Sequence, residues 1–286
     1  MRGLRWSPVD IAIVVGLTVF GLMTLYPFWY ILVISFSTPE AYFASDYHLI
    51  PSSFTIEAYQ YNLDNPQLTR SLANSVFITA VGTVNSLIWT TITGYFLSKR
   101  GLAFVSIIFT LFLVTLFFDG GLVPKFILIR QLGLRNNLLS VILPFTINPF
   151  FLILTKNYFR TRNPEIEEAA RVDGASAFTI LFRIVVPTSK PILATIGLFY
   201  AVQYWNDWFW PMIYLSEREL FPLALHLRNI VTQSTSFEHN TGGIGVTSPA
   251  TIRASTIVLT IVPIVLVYPF VQRYFVHGIL LGSSKE

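Results

Sequence analysis

Apolar residues occur along this chain in long runs, separated by shorter polar segments. Six runs of about 20 residues are apolar enough to cross a bilayer as helices, and they lack the alternation of membrane β-strands. The predicted spans cover residues 11–34, 75–97, 102–118, 138–155, 192–214 and 254–272. We expect the first run to be a span, because its apolar core is longer than that of a cleaved signal peptide. The pattern predicts an all-α, polytopic membrane helical bundle with six transmembrane helices.

The number and positions of charged residues indicate that this bundle lies in a membrane and how it is oriented there. Only 12% of the 286 residues are charged and 53% are hydrophobic, about half the charged fraction of a soluble domain. With a cytoplasmic N-terminus, most of the 19 lysine and arginine residues fall on the inner side, as the positive-inside rule requires. The prediction is a single transmembrane domain over residues 1–286 with both termini cytoplasmic, in the lipid bilayer of a bacterial inner membrane. Its polar segments are outer loops at 35–74 and 215–253, a cytoplasmic loop at 156–190 and a cytoplasmic tail at 273–286.

Two shorter segments of the outer side have their own predicted character. The mixed apolar and basic stretch Pro124–Leu134 is expected to form a short helix along the interface. Residues Gln233–Gly245 combine polar residues with glycine and are expected to form a mobile loop.

Several classes of protein are excluded by what the sequence lacks. It has no cysteine, so thiolate metal sites, cysteine nucleophiles and disulfides are excluded. Its four histidines lie outside the spans, where they cannot combine with an intramembrane nucleophile or metal. No phosphate-binding G-x-x-x-x-G-K-[ST] motif is present. We therefore predict no catalytic residue, metal site or cofactor of its own, and no nucleic-acid partner, since the net charge of +4 follows from cytoplasmic loops.

One carboxylate falls inside a predicted span, near the outer end of the fifth. Asp207 stands among aromatic and amide side chains, with Pro211 following it and expected to kink the helix. Such a group is typical of an interfacial aromatic belt or interhelical hydrogen bond, and it equally suits stacking on and hydrogen-bonding a sugar. The candidate substrate-path residues are Tyr204, Trp205, Asn206, Asp207 and Trp208.

The loop at 156–190 carries the most specific pattern. Asn163 and Pro164 predict the start of a helix rich in glutamate in its first turns, and Gly174 predicts its end. Ser176 is a cap for a second short helix, Ala177–Val185, which Pro187 is expected to end. The result is a helix–turn–helix on the cytoplasmic face. Its small residues and glutamates favour docking onto a protein over lying on lipid.

Residues 168–175 of this loop read Glu-Ala-Ala-Arg-Val-Asp-Gly-Ala, and residues 182–187 read Phe-Arg-Ile-Val-Val-Pro. This pattern resembles the EAA loop of ABC importer permeases, with Val186 at a position the family gives to leucine. Further similarity to the carbohydrate-uptake branch lies in Ser71–Ser75, Gly94-Tyr95, Trp205–Asp207, Phe221–Leu223 and Arg273–Gly278. The last of these looks like the smaller permease of the maltose-type importer. Phe118–Pro124 and Leu132–Leu134 resemble a subgroup associated with complex oligosaccharides and polysaccharide fragments such as alginate.

The resemblance implies how the chain would work and with which partners. Residues 164–185 would be coupling helices seated in a cytoplasmic ATPase dimer, which would hold ATP and Mg²⁺. A homologous second permease would share the pathway, and an extracytoplasmic solute-binding protein would touch the 215–253 loop and deliver an oligosaccharide. The implied coupling residues are Glu165, Glu168, Ala169, Ala170, Asp173, Gly174, Ala175, Phe182 and Pro187. The implied ATPase-interface residues of the tail are Gly278, Gly282 and Lys285.

The functional prediction is therefore the permease half of an ATP-driven, binding-protein-dependent oligosaccharide importer, a transport subunit and not an enzyme. The alternative from the residues alone is a stand-alone secondary carrier for a polar solute. Such a carrier would need ligands for a coupling ion near mid-membrane, which the uncharged spans do not offer.

Overall fold

The computed structural model describes residues 7–44, 49–99, 103–237 and 248–283, and their side chains except at 103, 233–237 and 267–283. These residues are helical throughout, apart from turns, short connections and an isolated bridge between Ser37 and Phe54. The predicted all-α class is confirmed. The α-helices are α1 Pro8–Ser35, α2 Pro39–Phe43, α3 Glu57–Leu63, α4 Pro66–Ser98, α5 Ala103–Phe117, α6 Leu122–Gln131, α7 Pro149–Arg160, α8 Glu165–Val172, α9 Ala177–Ile180, α10 Val186–Thr188, α11 Lys190–Asn206, α12 Phe209–Tyr214, α13 Leu223–Phe237 and α14 Pro249–Ser283.

The chain divides into two compact units, and the first combines residues 1–66 with 227–264. Within it, the buried amide of Asn62 on α3 joins two positions of α14. Its Nδ2 donates to Ser255 Oγ at 2.7 Å, and its Oδ1 accepts from Thr256 Oγ1 at 3.1 Å. Satisfied polar contacts of this kind join helices inside a membrane protein, where a lone amide would be costly.

The second unit combines residues 67–226 with 265–286 and contains α4 to α12. The division leaves the expectation of a single transmembrane domain over residues 1–286 as a prediction.

The candidate spans differ from six continuous helices. Three helices, α1, α4 and α14, are long and apolar enough to cross a membrane, and six spans result if each of three bent pairs counts as one. The bends are 117° between α5 and α6, 46° between residues 138–145 and α7, and 86° between residues 177–188 and α11. The first and third bends fall at polar residues, 119–121 and 188–190, which lie outside the predicted spans. The second lies inside the predicted span 138–155, where hydropathy alone does not reveal it.

The prediction of one helix over 138–155 is therefore wrong in detail. Two 3₁₀ turns, Leu138–Val141 and Leu143–Phe145, precede α7. Pro149 opens α7, and Asn148 caps it by accepting from the backbone N–H groups of Phe150 and Phe151 at 2.9 and 3.4 Å. Proline has no N–H and is favoured in the first turn of a helix, where its nitrogen needs no helical partner, so Pro149 fits the start of α7.

The predicted span 192–214 is also interrupted. Helix α11 ends at Asn206, and α12 begins at Phe209. The expected effect of Pro211 takes the form of a full break, not a kink. Pro211 has no N–H to donate to the carbonyl of Asp207 four residues earlier. The chain becomes extended at Asp207, and Pro211 lies in the first turn of α12.

Other segments are more helical than predicted. Helix α13 extends to Phe237, so the first part of the loop expected at Gln233–Gly245 is helical and residues 238–245 lie outside the described residues. Helix α14 continues from the predicted sixth span into the predicted tail as far as Ser283. The short helix expected at Pro124–Leu134 is present as α6.

Candidate functional site

The glutamate-rich pattern within residues 156–190 forms a short amphipathic helix, α8, closed by a glycine turn. Asn163 Oδ1 accepts from the N–H of Glu165 at 3.1 Å, as expected of a residue that begins a helix. At the other end, the N–H of Gly174 donates to Arg171 O at 3.0 Å and that of Ala175 to Ala170 O at 2.9 Å. These two bonds define a Schellman motif. It needs a left-handed residue, which Gly174 supplies with φ of +82°.

The second helix of the loop is slightly longer than predicted and contains a π-helical segment. Ser176 caps α9 by accepting from the N–H of Thr179 at 3.2 Å, as expected. A π-helical segment, Leu181–Val185, then leads into α10. The expected end at Pro187 is wrong by a short margin, because the helix continues to Thr188 and the chain turns at Ser189. Arg162 secures this turn by donating to Ser189 Oγ at 2.8 Å and to Thr188 Oγ1 at 2.6 Å.

Helix α8 is attached to the end of α4 through Glu167. Tyr95 donates to Glu167 Oε2 at 2.9 Å, and Lys99 forms an ion pair with the same oxygen. The Lys99 ammonium also lies 3.9 Å from the centre of the Tyr95 ring. Both members of the ion pair are largely shielded, with 23% and 13% of the side chains exposed, so water and salt weaken the pair less than a surface pair.

An apolar cluster next to these contacts supports the attachment of α8 to α4. Tyr95, Phe159, Ile180, Leu181, Val185 and Leu193 are buried together, with Ala170 and Ala175 packed against them. The two small residues let the helix–turn–helix lie close to the ends of α4, α7 and α11. The small residues of the motif therefore have a packing role on this side.

The opposite side of the loop is exposed and carries both charge and apolar surface. Val172 is 88% exposed, and the stacked rings of Phe178 and Phe182 are 67% and 49% exposed. We call the exposed residues of this side the coupling face: Glu165, Glu168, Ala169, Val172, Asp173, Gly174, Phe178 and Phe182. Exposed aromatic and aliphatic side chains beside carboxylates are typical of a surface that binds another protein.

The predicted coupling residues separate into two groups. Glu165, Glu168, Ala169, Asp173, Gly174 and Phe182 lie on the coupling face, and Pro187 is also exposed. Ala170 and Ala175 face the apolar cluster. Of the predicted tail residues, Gly278 and Gly282 fall in α14 where side chains are not described, and Lys285 lies outside the described residues.

The predicted substrate-path residues surround the break between α11 and α12. An open recess of about 240 Å³ is lined by Phe145, Gln203, Tyr204, Asn206, Asp207 and Trp210. Of the predicted set, Tyr204, Asn206 and Asp207 line it, whereas Trp205 and Trp208 do not. It combines a carboxylate, two amides and aromatic rings, groups that hydrogen-bond hydroxyls and pack against the apolar face of a sugar ring.

Asp207 has a structural role at the recess. Its Oδ1 accepts from the N–H groups of Phe209 and Trp210 at 3.1 and 3.3 Å, and so satisfies the free N–H groups at the start of α12. The other carboxylate oxygen makes none of the hydrogen bonds found among the described residues. The structural role observed for Asp207 is therefore a local helix cap, and it is compatible with a path-lining role.

Buried hydroxyls fix the wall of the recess to α4. Tyr204 is hydrogen-bonded to Ser86 at 2.9 Å, and Tyr200 to Thr90 at 2.7 Å. Tyr200 also accepts from the N–H of Asn148 at 2.9 Å, and Asn148 Nδ2 donates to Gln203 Oε1 at 3.3 Å. Each tyrosine therefore has a defined position, and Gln203 is oriented from the neighbouring α7 cap.

Sequence reasoning missed several residues of both sites. Glu167, Tyr95 and Lys99 join α8 to α4, and Gln203 and Trp210 line the recess. The basic pair Lys99-Arg100 beside a glutamate-rich helix is a signal that could have indicated the ion pair. Among the described residues, no group of three or more His, Asp or Glu side chains could hold a metal ion.

Comparison with known proteins places this geometry in a family. Residues 123–281 match the family described as binding-protein-dependent transport system inner membrane component. The chain is 38% identical over 279 residues to the polygalacturonan/rhamnogalacturonan transport system permease protein YtcP of Bacillus subtilis, which covers 96% of this chain and 98% of that protein. It is 28% identical to the arabinooligosaccharides transport system permease protein AraQ of Halalkalibacterium halodurans, over 95% of each chain.

A solved structure agrees in fold as well. A chain in the crystal structure of a bacterial ABC transporter involved in the import of the acidic polysaccharide alginate superposes with a TM-score of 0.86 and 34% identity, over 94% of this chain and 99% of that one. These relatives favour the importer interpretation over a stand-alone carrier. The chain belongs to the binding-protein-dependent transport system inner membrane components and is a multi-pass ABC importer permease, a transport subunit and not an enzyme.

Proposed function

We propose that this permease imports acidic oligosaccharides, and that the coupling face seats in a cytoplasmic ATPase. A relative at 38% identity is named for polygalacturonan and rhamnogalacturonan transport, and the solved relative belongs to an alginate importer. Both substrates contain uronate units. We therefore assign this chain uronate-containing oligosaccharides as its substrate class.

The coupling role rests chiefly on one observation, the attachment of α8 to α4 through Glu167 while its other side remains exposed. A helix held on one side and exposed on the other can transmit a force from a bound partner to the span behind it. ATP and Mg²⁺ would bind to the ATPase dimer, and closure of that dimer would draw the coupling faces of the two permeases together. Nucleotide and ligand would change the relative populations of the inward-open and outward-open states, because each binds the two states with different affinities.

The orientation follows from the same role. We propose that both termini and residues 156–190 are cytoplasmic, and that the 215–253 segment faces the external solute-binding protein. The tail residues Gly278, Gly282 and Lys285 are proposed to approach the ATPase dimer interface. A homologous second permease completes the pathway.

The recess beside Asp207 is proposed to lie on the substrate path. Tyr204 and Asn206 line it, and the adjacent Trp205 and Trp208 are proposed to lie along the same path. Its volume is below the roughly 300–1,000 Å³ of pockets for drug-sized ligands. It would therefore hold one sugar unit of a passing chain at a time. A small, open recess suits transport, because the substrate must also leave.

The Gly174→Asp variant tests the coupling role. Aspartate at this position would have to adopt the left-handed backbone conformation that glycine adopts easily, and it would add bulk and charge to the coupling face. We therefore expect the variant to insert normally into the membrane but to lose co-purification with the ATPase. Gly133→Asp is a matched control. Gly133 has φ of +69° and closes α6 with the same Schellman bonds, Gly133 N–H to Arg130 O and Leu134 N–H to Ile129 O. Equal loss in both variants, or loss in neither, would contradict the coupling role.

A further inference from the structure

A polar tip of the second unit is held between two elements. Residues Ser216–Glu219, which we call the outer tip, are all exposed. On one side, Asn136 Oδ1 accepts from the N–H of Ser216 at 2.6 Å, and Arg135 Nη2 donates to Ser216 Oγ at 3.1 Å. Asn136 adopts a left-handed φ of 57° to do this, a conformation asparagine tolerates better than most residues.

On the other side, the first turns of α4 hold the segment that follows the tip. Asn74 Nδ2 donates to Glu219 O at 2.7 Å and to Phe221 O at 3.3 Å. Ser75 Oγ accepts from the buried N–H of Leu223 at 2.7 Å. Two adjacent side chains of α4 therefore satisfy three backbone groups of residues 219–223. Displacement of this segment would break bonds to α4 or carry α4 with it.

Helix α4 connects this outer contact directly to α8. Its 33 residues span about 50 Å at 1.5 Å per residue. At the far end, Tyr95 and Lys99 bind Glu167. Within residues 67–226 the other candidate spans are bent pairs, and a bend can absorb a displacement that a continuous helix passes on.

We propose that α4 transmits docking of the loaded external binding protein from the outer tip to the coupling helix α8. Asn74 and Ser75 are the positioning residues at its outer end, and Tyr95 and Lys99 those at its inner end. The inference rests on the proposed function, since it requires both external docking and ATPase coupling. It adds which helix joins the two and through which side chains.

The test is ATP hydrolysis by the complete reconstituted complex, measured with and without binding protein loaded with uronate oligosaccharide. The readout is the ratio of stimulated to basal rate. Ser75→Ala and Asn74→Ala, made separately, should leave the basal rate unchanged and lower the ratio about fivefold, within the usual range of coupling between distant sites. The exposed Ser106→Ala is a matched control on α5 and should leave the ratio unchanged.

A double-mutant cycle between Ser75 at the outer end of α4 and Tyr95 at its inner end distinguishes transmission along the helix from local damage at either end. Tyr95→Phe should also lower the ratio, and adding Ser75→Ala to Tyr95→Phe should lower it no further, because both act on one route. Effects that multiply, or an unchanged ratio in both outer variants, would overturn the proposal. If the wild-type complex shows no stimulation, the proposed function fails first and the inference falls with it.

Discussion

A side-chain carbon placed on Gly82 would lie 2.8 Å from the ring of Tyr204. Helices α4 and α11 approach so closely at this point that only a glycine fits beside the ring. The same tyrosine lines the recess and is hydrogen-bonded to Ser86, one turn further along α4. This contact determines where the wall of the recess stands.

Gly82→Ala is expected to destabilise the protein by about 1–3 kcal/mol, since the buried ring has little room to move. Thermal unfolding of the purified protein in detergent measures the change. Gly197→Ala on α11 is the control, because its added carbon would meet Leu87 at an ordinary 3.6 Å. That variant should be neutral or slightly stabilising through helix propensity. Equal destabilisation by both variants would contradict the close contact.

Glu167→Gln and Lys99→Met are expected to show coupled effects on stability. Their ion pair is partly buried, so a double-mutant cycle should give an interaction energy of about 1 kcal/mol. Thermal unfolding of the two single variants and the double variant provides the measurement. Asp119→Asn removes the ion pair between Asp119 and Lys125, in which the aspartate side chain is 67% exposed. It should change stability far less, because an exposed pair contributes little. Additive effects at Glu167 and Lys99 would show that the pair contributes no coupling.

The burial of His226 on α13 leads us to expect that the folded protein loses stability in acid. Burial lowers the pKa of His226 below its ordinary value, and its Nε2 has no hydrogen-bond partner among the described residues. The unfolded chain takes up the proton first as pH falls. Stability is therefore complete above the ordinary histidine range and declines as pH falls through the lowered pKa.

Thermal unfolding of the wild type and His226→Gln across pH 7.5 to about 5 tests this dependence. The wild type should lose stability relative to the variant toward the acid end. A constant difference between the two proteins over the whole range would rule the histidine out as the cause.

The absence of cysteine allows orientation to be tested with single introduced thiols. Glu168→Cys on the coupling face and Glu217→Cys on the outer tip are both at exposed positions. In intact spheroplasts, a membrane-impermeant maleimide should label only the thiol at 217, and the thiol at 168 only after permeabilisation. The reverse pattern would invert the proposed topology.

The local parts of the coupling element could be predicted from sequence. The start at Asn163, the turn at Gly174 and the cap at Ser176 depend on residues within a few positions of each other, and all three are observed. The attachment of Glu167 to Tyr95 could not be predicted, because it joins residues about 70 positions apart and depends on how the helices pack. The break at Asn148 was missed for another reason, and at Asp207 a kink from Pro211 was expected where the helix breaks completely. Hydropathy measures transfer to lipid, and apolar residues on both sides of a capped break give the same sum as a continuous helix.

The central claim is most directly tested by uptake of a labelled uronate oligosaccharide into proteoliposomes. These would contain this permease, its partner permease and the ATPase, with ATP inside and loaded binding protein outside. We predict uptake that requires ATP, the ATPase and the binding protein, and that is lost with Gly174→Asp but kept with Gly133→Asp. Uptake that continues without the ATPase would contradict the proposed coupling and favour the alternative, a stand-alone carrier.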